Sequence, residues 1–145
     1  MSNQQAAELR NQMDEFTKAY VAAALWSSTV MIEGEPVELD RDHSIDDVAP
    51  GALRRFITDC NQFQIAHVDL LVDAYAAYRE MGMEHSPQAR AGHDFWLTRN
   101  RHGAGFWDRG FGRALATDLT EACHAAGEVE LEIGDDGLIY QLGAK

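Results

Sequence analysis

The sequence predicts an α+β protein in which three helices pack on a small antiparallel sheet built from two β-hairpins. Three observations lead to this class. In three stretches, apolar residues recur every three or four positions, as on one face of a helix. In two others, apolar runs flank a short turn that contains glycine, which is typical of a hairpin. Helices and strands do not alternate along the chain, so we expect no parallel sheet.

The chain of 145 residues has the size of one compact domain, and we assign residues 1–145 to a single domain. Residues 1–8 are predicted to be disordered, and residues 29–49 are predicted to form an acidic irregular segment. No apolar run approaches the roughly 18 residues of a membrane span, and none has the basic flank of a signal peptide. We therefore expect a cytoplasmic protein that does not bind a membrane.

Two long helices are predicted in the first part of the chain. The apolar face of the first helix runs from Leu9 to Ala24. The second helix begins at Pro50, because a first turn does not need the N–H that proline lacks, and it ends near Gly82. Its side chains predicted to be buried are Phe56, Ile57, Phe63 and Leu70. Residues 83–91 are predicted to be a linker.

The last third of the chain is predicted to hold a third helix between two hairpins. The first hairpin has a strand near His93–Arg99, a loop near Asn100–Gly103 and a return strand near Ala104–Arg109. The helix that follows carries on one face Leu115, Leu119, Ala122 and Cys123, and Gly127 ends it. The second hairpin has a tight turn at Asp136-Gly137. We expect the two hairpins to join into one four-stranded sheet.

Acidic residues dominate the charge of the chain, which has a net charge of −12. Residues 33–47 contain seven acids and one base: the acids are Glu33, Glu35, Glu38, Asp40, Asp42, Asp46 and Asp47. Glu130 and Glu132 alternate with apolar residues in the last hairpin and are expected to face solvent. This charge argues against direct binding to nucleic acid, whose phosphates require Lys and Arg. It either keeps the protein soluble or complements a basic surface on a partner protein.

Motifs for metals, cofactors and standard catalytic sites are absent from the sequence. The acids at 33–47 resemble a calcium loop in spacing, but the required glycine and closing Glu are misplaced. Cys60 and Cys123 are not part of a CxxC pair, so we expect buried thiols. GxSxG, HExxH, P-loop and CxxC motifs are missing, and we predict no cofactor. Ser44 followed by Asp47 indicates the start of a helical turn.

Residues 92–112 combine aromatic side chains with six groups that could perform chemistry: His93, Asp94, Arg99, His102, Asp108 and Arg109. In an enzyme, a His would act as general base, a carboxylate would orient it, and an Arg would hold an anion. Alternatively, the Asp and Arg side chains form ion pairs across the hairpin around packed aromatic rings. The residue types alone favour the ion pairs.

The same segment carries a resemblance. GHDFWLTRNRHGAGFWDRG, a following Leu-Thr-Glu-Ala helix and the ending GDDGLIY resemble a family of small proteins encoded by phages and prophages. The match covers roughly the C-terminal third well, and the acidic middle and the long helix resemble the family more loosely. Arg101 stands where a Gly is expected. The resemblance implies an accessory gene of a virus or mobile element, and it supplies no catalytic residues.

Two functions from different classes follow from these observations. The first is an accessory protein that acts by protein–protein interaction and inhibits a host nucleic-acid-binding or defence factor, in the manner of a DNA mimic or an anti-CRISPR protein. Its acids would bind a basic surface of the host protein, and a homo-oligomer is compatible with this function. The alternative is a small enzyme or ligand-binding protein that uses the His, Asp and Arg groups of residues 93–109.

Overall fold

Helices dominate this protein in a computed structural model that describes residues 3–82, 86–102 and 105–143. The described residues form seven α-helices: α1 (Asn3–Asn11), α2 (Glu15–Ser27), α3 (Leu39–Asp42), α4 (Pro50–Ala66), α5 (Val68–Glu80), α6 (Pro87–Arg99) and α7 (Arg113–Ala126). They also form two separate antiparallel hairpins: β1 (Thr29–Ile32) with β2 (Glu35–Glu38), and β3 (Glu130–Ile133) with β4 (Ile139–Leu142). The predicted class of three helices on one sheet is therefore wrong.

The largest correction concerns α6, which occupies residues predicted to be a linker and a strand. Ser86 caps this helix by accepting a hydrogen bond from the Ala89 backbone N–H, and Pro87 is its first residue. The predicted return strand is also absent, because Phe106–Arg109 form a 3₁₀ helix. Helix α6 contacts α2, α5 and α7 and is buried on most of its circumference. It therefore shows no polar face, and tertiary packing overrides the strand preference of its aromatic residues.

Helices α2 and α6 form the most extensive contact in the described structure, and a glycine permits it. A Cβ atom built on Gly92 of α6 would lie 1.9 Å from the backbone oxygen of Phe16 on α2. Glycine in a helix interior is normally unfavourable. At this position it lets the two backbones touch, which brings Phe16 and Tyr20 of α2 against Phe95 of α6.

Each of the first two predicted helices is in fact two helices. Asp14 interrupts the first and caps α2 by accepting a hydrogen bond from the Thr17 N–H. His67 interrupts the second, with φ −124° and ψ 33°. The break changes the helical phase, so Leu71 is fully buried while Leu70, which we predicted to be buried, is only partly so.

The core is otherwise close to the one expected. Phe56 and Phe63 are buried, whereas Ile57 packs at its edge and is partly exposed. Cys60 and Cys123 are buried free thiols, as predicted. Residues 3–8, which we expected to be disordered, lie in α1.

The acidic segment is more regular than predicted. Glu33 and Gly34 join β1 to β2 with φ values of 52° and 83°, as in the two-residue turns that favour hairpins. Helix α3 follows, and then a 3₁₀ helix at Ile45–Asp47. The predicted helix start at Ser44 is confirmed, because its side chain and that of Asp47 form a reciprocal capping box.

Three further predictions for the chain are confirmed. Pro50 is the first residue of α4, α7 ends at Gly127, and the last hairpin turns at Asp136-Gly137. The hairpin docks on the acidic segment through a bridge between Val48 and Ile139.

Among the residues described, no helix has both the length and the apolar character that a bilayer span requires.

The close approach at Gly92 predicts that Gly92→Ala strongly destabilises the protein. The added methyl group meets backbone atoms, which cannot rotate away, so the free energy of unfolding should fall by about 3 kcal/mol or more. Gly51→Ala is the matched control, because its methyl group would enter open space at the start of α4. Urea denaturation of both variants measures the difference, and equal stabilities would contradict the close contact of α2 and α6.

Candidate functional site

Arg99, one of the six predicted chemical groups, is a buried structural residue at the C-terminal end of α6. Its side chain is 2% exposed and donates hydrogen bonds to the Tyr20 hydroxyl and to Asp59, both at 2.9 Å. It also donates to the carbonyl oxygens of Ala126 and Gly127, at 2.9 and 2.8 Å. These carbonyls end α7, where a cation is favoured by the helix dipole. Arg99 is therefore bound within the protein on several sides.

Asp94 forms a second buried network one helical turn earlier. Its carboxylate is fully buried and accepts two hydrogen bonds from Arg109, at 2.8 and 2.9 Å. The Tyr78 hydroxyl donates a third, and the His93 ring lies 3.2 Å away. The structure thus brings together three of the predicted groups, His93, Asp94 and Arg109, and joins α5 and the 3₁₀ helix to α6.

Burial and the Asp94 carboxylate raise the pKa values of two groups in this network. The hydrogen bonds to Asp94 raise the pKa of the Arg109 guanidinium, and burial together with Asp94 raises the pKa of the Tyr78 hydroxyl. Both groups therefore remain protonated around neutral pH. A general acid or base must instead exchange its proton near the working pH. Tyr78 and Arg109 are therefore suited to holding elements together and not to proton transfer.

The remaining two predicted groups lie elsewhere. Asp108 is exposed, and His102 is exposed at the end of the described part of the loop that follows α6. Within the described residues, the His102 side chain forms no hydrogen bond or ion pair. The six groups are consequently divided between two structural networks and the surface. Only His93, Asp94 and Arg109 meet at one place among the described residues, and Arg99, His102 and Asp108 do not join them.

The acids of residues 33–47 are exposed, with Asp47 partly buried. Three of them have local partners: Asp42 pairs with Arg41, Asp46 pairs with Arg10, and Asp47 completes the cap at Ser44. The other four have no ion pair among the described residues, and they are Glu33, Glu35, Glu38 and Asp40. Glu130 and Glu132 are exposed on β3, as predicted.

A polar cleft of about 610 Å³ lies between the open ends of the two hairpins. Residues 27–29, which lead into β1, line one side, and residues 128–131, which lead into β3, line the other. Trp96, Asn100 and His102 also line it. The cleft therefore brings part of residues 92–112, the segment rich in aromatic and polar side chains, together with residues far from it in the chain.

Hydrogen bonds from α6 hold both walls of this cleft. The Trp96 ring N–H donates to the Ser27 hydroxyl at 2.6 Å. The Asn100 side chain accepts from the Val129 N–H at 2.8 Å and donates to the Trp96 carbonyl at 3.0 Å. Sequence reasoning missed Trp96, Asn100 and Glu128 as cleft residues, and only the dense motif around Trp96 pointed towards them.

Metals and known relatives give no further assignment. In residues 3–82, 86–102 and 105–143, no group of three His, Cys, Asp or Glu side chains is placed to hold a metal ion. Comparisons with protein-family models, with curated proteins and with solved structures found no match. The function is therefore argued from the residues and their geometry.

The buried network predicts that Asp94→Asn destabilises the protein while Asp108→Asn does not. Removing the Asp94 charge takes away the buried carboxylate that accepts two hydrogen bonds from Arg109, so unfolding should become easier by about 1–3 kcal/mol. Asp108 is exposed on the same 3₁₀ helix, and its change should stay within about 0.5 kcal/mol. Chemical denaturation tests both, and a stable Asp94→Asn protein would reopen a functional role for the cluster.

Proposed function

We propose that this protein acts by binding another protein through its acidic surface, without catalysis. The observation that carries this proposal is the exposed set of four acids at 33, 35, 38 and 40, which have no ion pair among the described residues. Together with the resemblance to phage-encoded proteins, it favours an accessory protein that acts in the host cytoplasm. Its target is then a nucleic-acid-binding or defence factor whose basic groove receives the acids in place of phosphates.

The hairpin of β1 and β2 supports this function because it presents acidic and apolar groups together. Met31 is 67% exposed and Ile32 is also exposed on β1, next to Glu35 on the paired strand. Protein interfaces commonly combine an apolar centre with a polar rim. Charges steer the encounter and suppress wrong partners, while apolar anchors supply much of the binding energy. The hairpin offers both on one short element.

The enzyme alternative has less support. A catalytic site would need the His, Asp and Arg groups to surround a common substrate position. Arg99 and Asp94 instead have buried protein partners, and within the described residues the His102 side chain has no hydrogen bond or ion pair that would orient it. The arrangement resembles a structural ion-pair system, which is the reading that the residue types favoured.

The proposal predicts that reversing the charge of Glu35 and Asp40 to Lys weakens partner binding. Wild-type and variant proteins serve as paired baits in a host lysate, and mass spectrometry identifies the proteins that only the wild type retains. The association rate of a purified target should then fall for the variant, and wild-type affinity should fall as salt rises, because exposed charges are screened within about 10 Å at 0.1 M.

A matched control separates this effect from net charge. Asp118→Lys with Glu121→Lys makes the same change in charge on exposed positions of α7. The control should retain the target, and all proteins should unfold within about 1 kcal/mol of one another. If the α7 variant loses the target equally, or if neither does, the acidic hairpin is not the binding surface.

A further inference from the structure

We infer that the cleft between the two hairpins binds the cationic end of a basic side chain, foremost an arginine, from the partner protein. This inference rests on the proposed function and assigns a specific contact to it. The cleft is a separate feature from the exposed acids of the first hairpin, because its walls include residues 27–29 and 128–131. The cleft and the exposed acids of the first hairpin can therefore be tested separately.

The charge of the cleft selects a cation. Glu128 and Glu130 line one wall and are exposed, and neither has an ion pair among the described residues. Thr29 lines the other wall and carries no charge. The described residues that line the cleft include no Lys or Arg. The negative charge of the described lining therefore comes from the wall that carries Glu128 and Glu130.

The hydrogen-bonding groups of the cleft agree with this choice. The Trp96 ring N–H donates to Ser27, and the Asn100 amide donates one hydrogen bond to the Trp96 carbonyl. The carboxylates of the two glutamates remain as acceptors on one wall, and the hydroxyls of Ser28 and Thr29 can accept on the other. A guanidinium group has five N–H donors and no acceptor, so it complements a site dominated by acceptors.

Arginine fits this site better than lysine. Its planar group can pair with a carboxylate through two parallel hydrogen bonds, whereas an ammonium group acts as a point charge. The walls are held to α6 by the hydrogen bonds of Trp96 and Asn100, so little ordering is needed when a side chain enters. The volume of about 610 Å³ leaves room for a long side chain and for bridging water.

A titration with an acetylated, amidated tetra-arginine peptide tests the inference by NMR. The Trp96 ring N–H borders the cleft, whereas Trp26 and Trp107 lie outside its lining and serve as internal controls. We expect a saturable shift of the Trp96 signal, with smaller or no shifts of the other two. A tetra-lysine peptide should bind more weakly. Equal movement of all three signals would show diffuse attraction to an acidic protein and would overturn the assignment.

Two variants locate the contact. Glu128→Gln with Glu130→Gln should weaken peptide binding about tenfold, as expected for the loss of charge-assisted hydrogen bonds. Glu121→Gln with Glu132→Gln makes the same change in net charge at exposed positions outside the cleft lining and should have little effect. Equal weakening by both pairs would contradict the inference.

A third variant tests the cavity while preserving the charge. Thr29→Trp places a large ring at the exposed wall of the cleft and should abolish the saturable Trp96 shift. Unchanged peptide binding would contradict the inference. If the cleft variants still retain the host target while the Glu35 and Asp40 reversals lose it, this inference fails and the proposed function stands. If the peptide binds the cleft but no charge reversal affects a host target, the proposed function fails by itself.

Discussion

A single buried guanidinium constrains the arrangement of four helices. Arg99 on α6 donates hydrogen bonds to Tyr20 on α2, to Asp59 on α4, and to the carbonyls of Ala126 and Gly127 at the end of α7. Removing a charge from water costs several kcal/mol unless partners compensate for it. Any packing that displaced one of these helices would leave the cation with fewer partners. The requirement to satisfy Arg99 therefore selects one relative placement of α2, α4, α6 and α7.

Amphipathic elements could be predicted from the sequence, and the central helix could not. Helix α7 and the last hairpin each have one face in water, so their apolar residues show a clear period. Helix α6 is surrounded by other helices, and its buried positions run almost without interruption from Ala91 to Arg99. Periodicity cannot then separate a helix from a strand. The Ser86-Pro87 pair was the available signal, because both residues favour a helix start.

The interpretation of residues 93–109 as a functional site depended on whether this segment forms a helix or a strand. In a strand, alternate residues share a face, whereas in a helix the residues that share a face are three or four positions apart. Arg99 lies one helical turn from Phe95, whose ring centroid is 5.2 Å from the guanidinium carbon. The exposure of the acids at 33–46 was predictable, because only one base lies among them. The cleft could not be predicted from the sequence, since its walls are about one hundred residues apart in the chain and meet only through tertiary packing.

The division of charge between interior and surface links the fold to the proposed function. Arg99 with Asp59 and Arg109 with Asp94 are neutral as pairs, so the net charge of −12 belongs to the other side chains. Two arginines that could have offset surface acids are thus used to hold α6 in place. The acids outside act over a distance of about 8–10 Å in physiological salt, whereas hydrogen bonds in the cleft act only at contact. In the proposed function, the long-range attraction of the acids brings a basic protein to the hairpins. The short-range hydrogen bonds then select the side chain that enters the cleft between them.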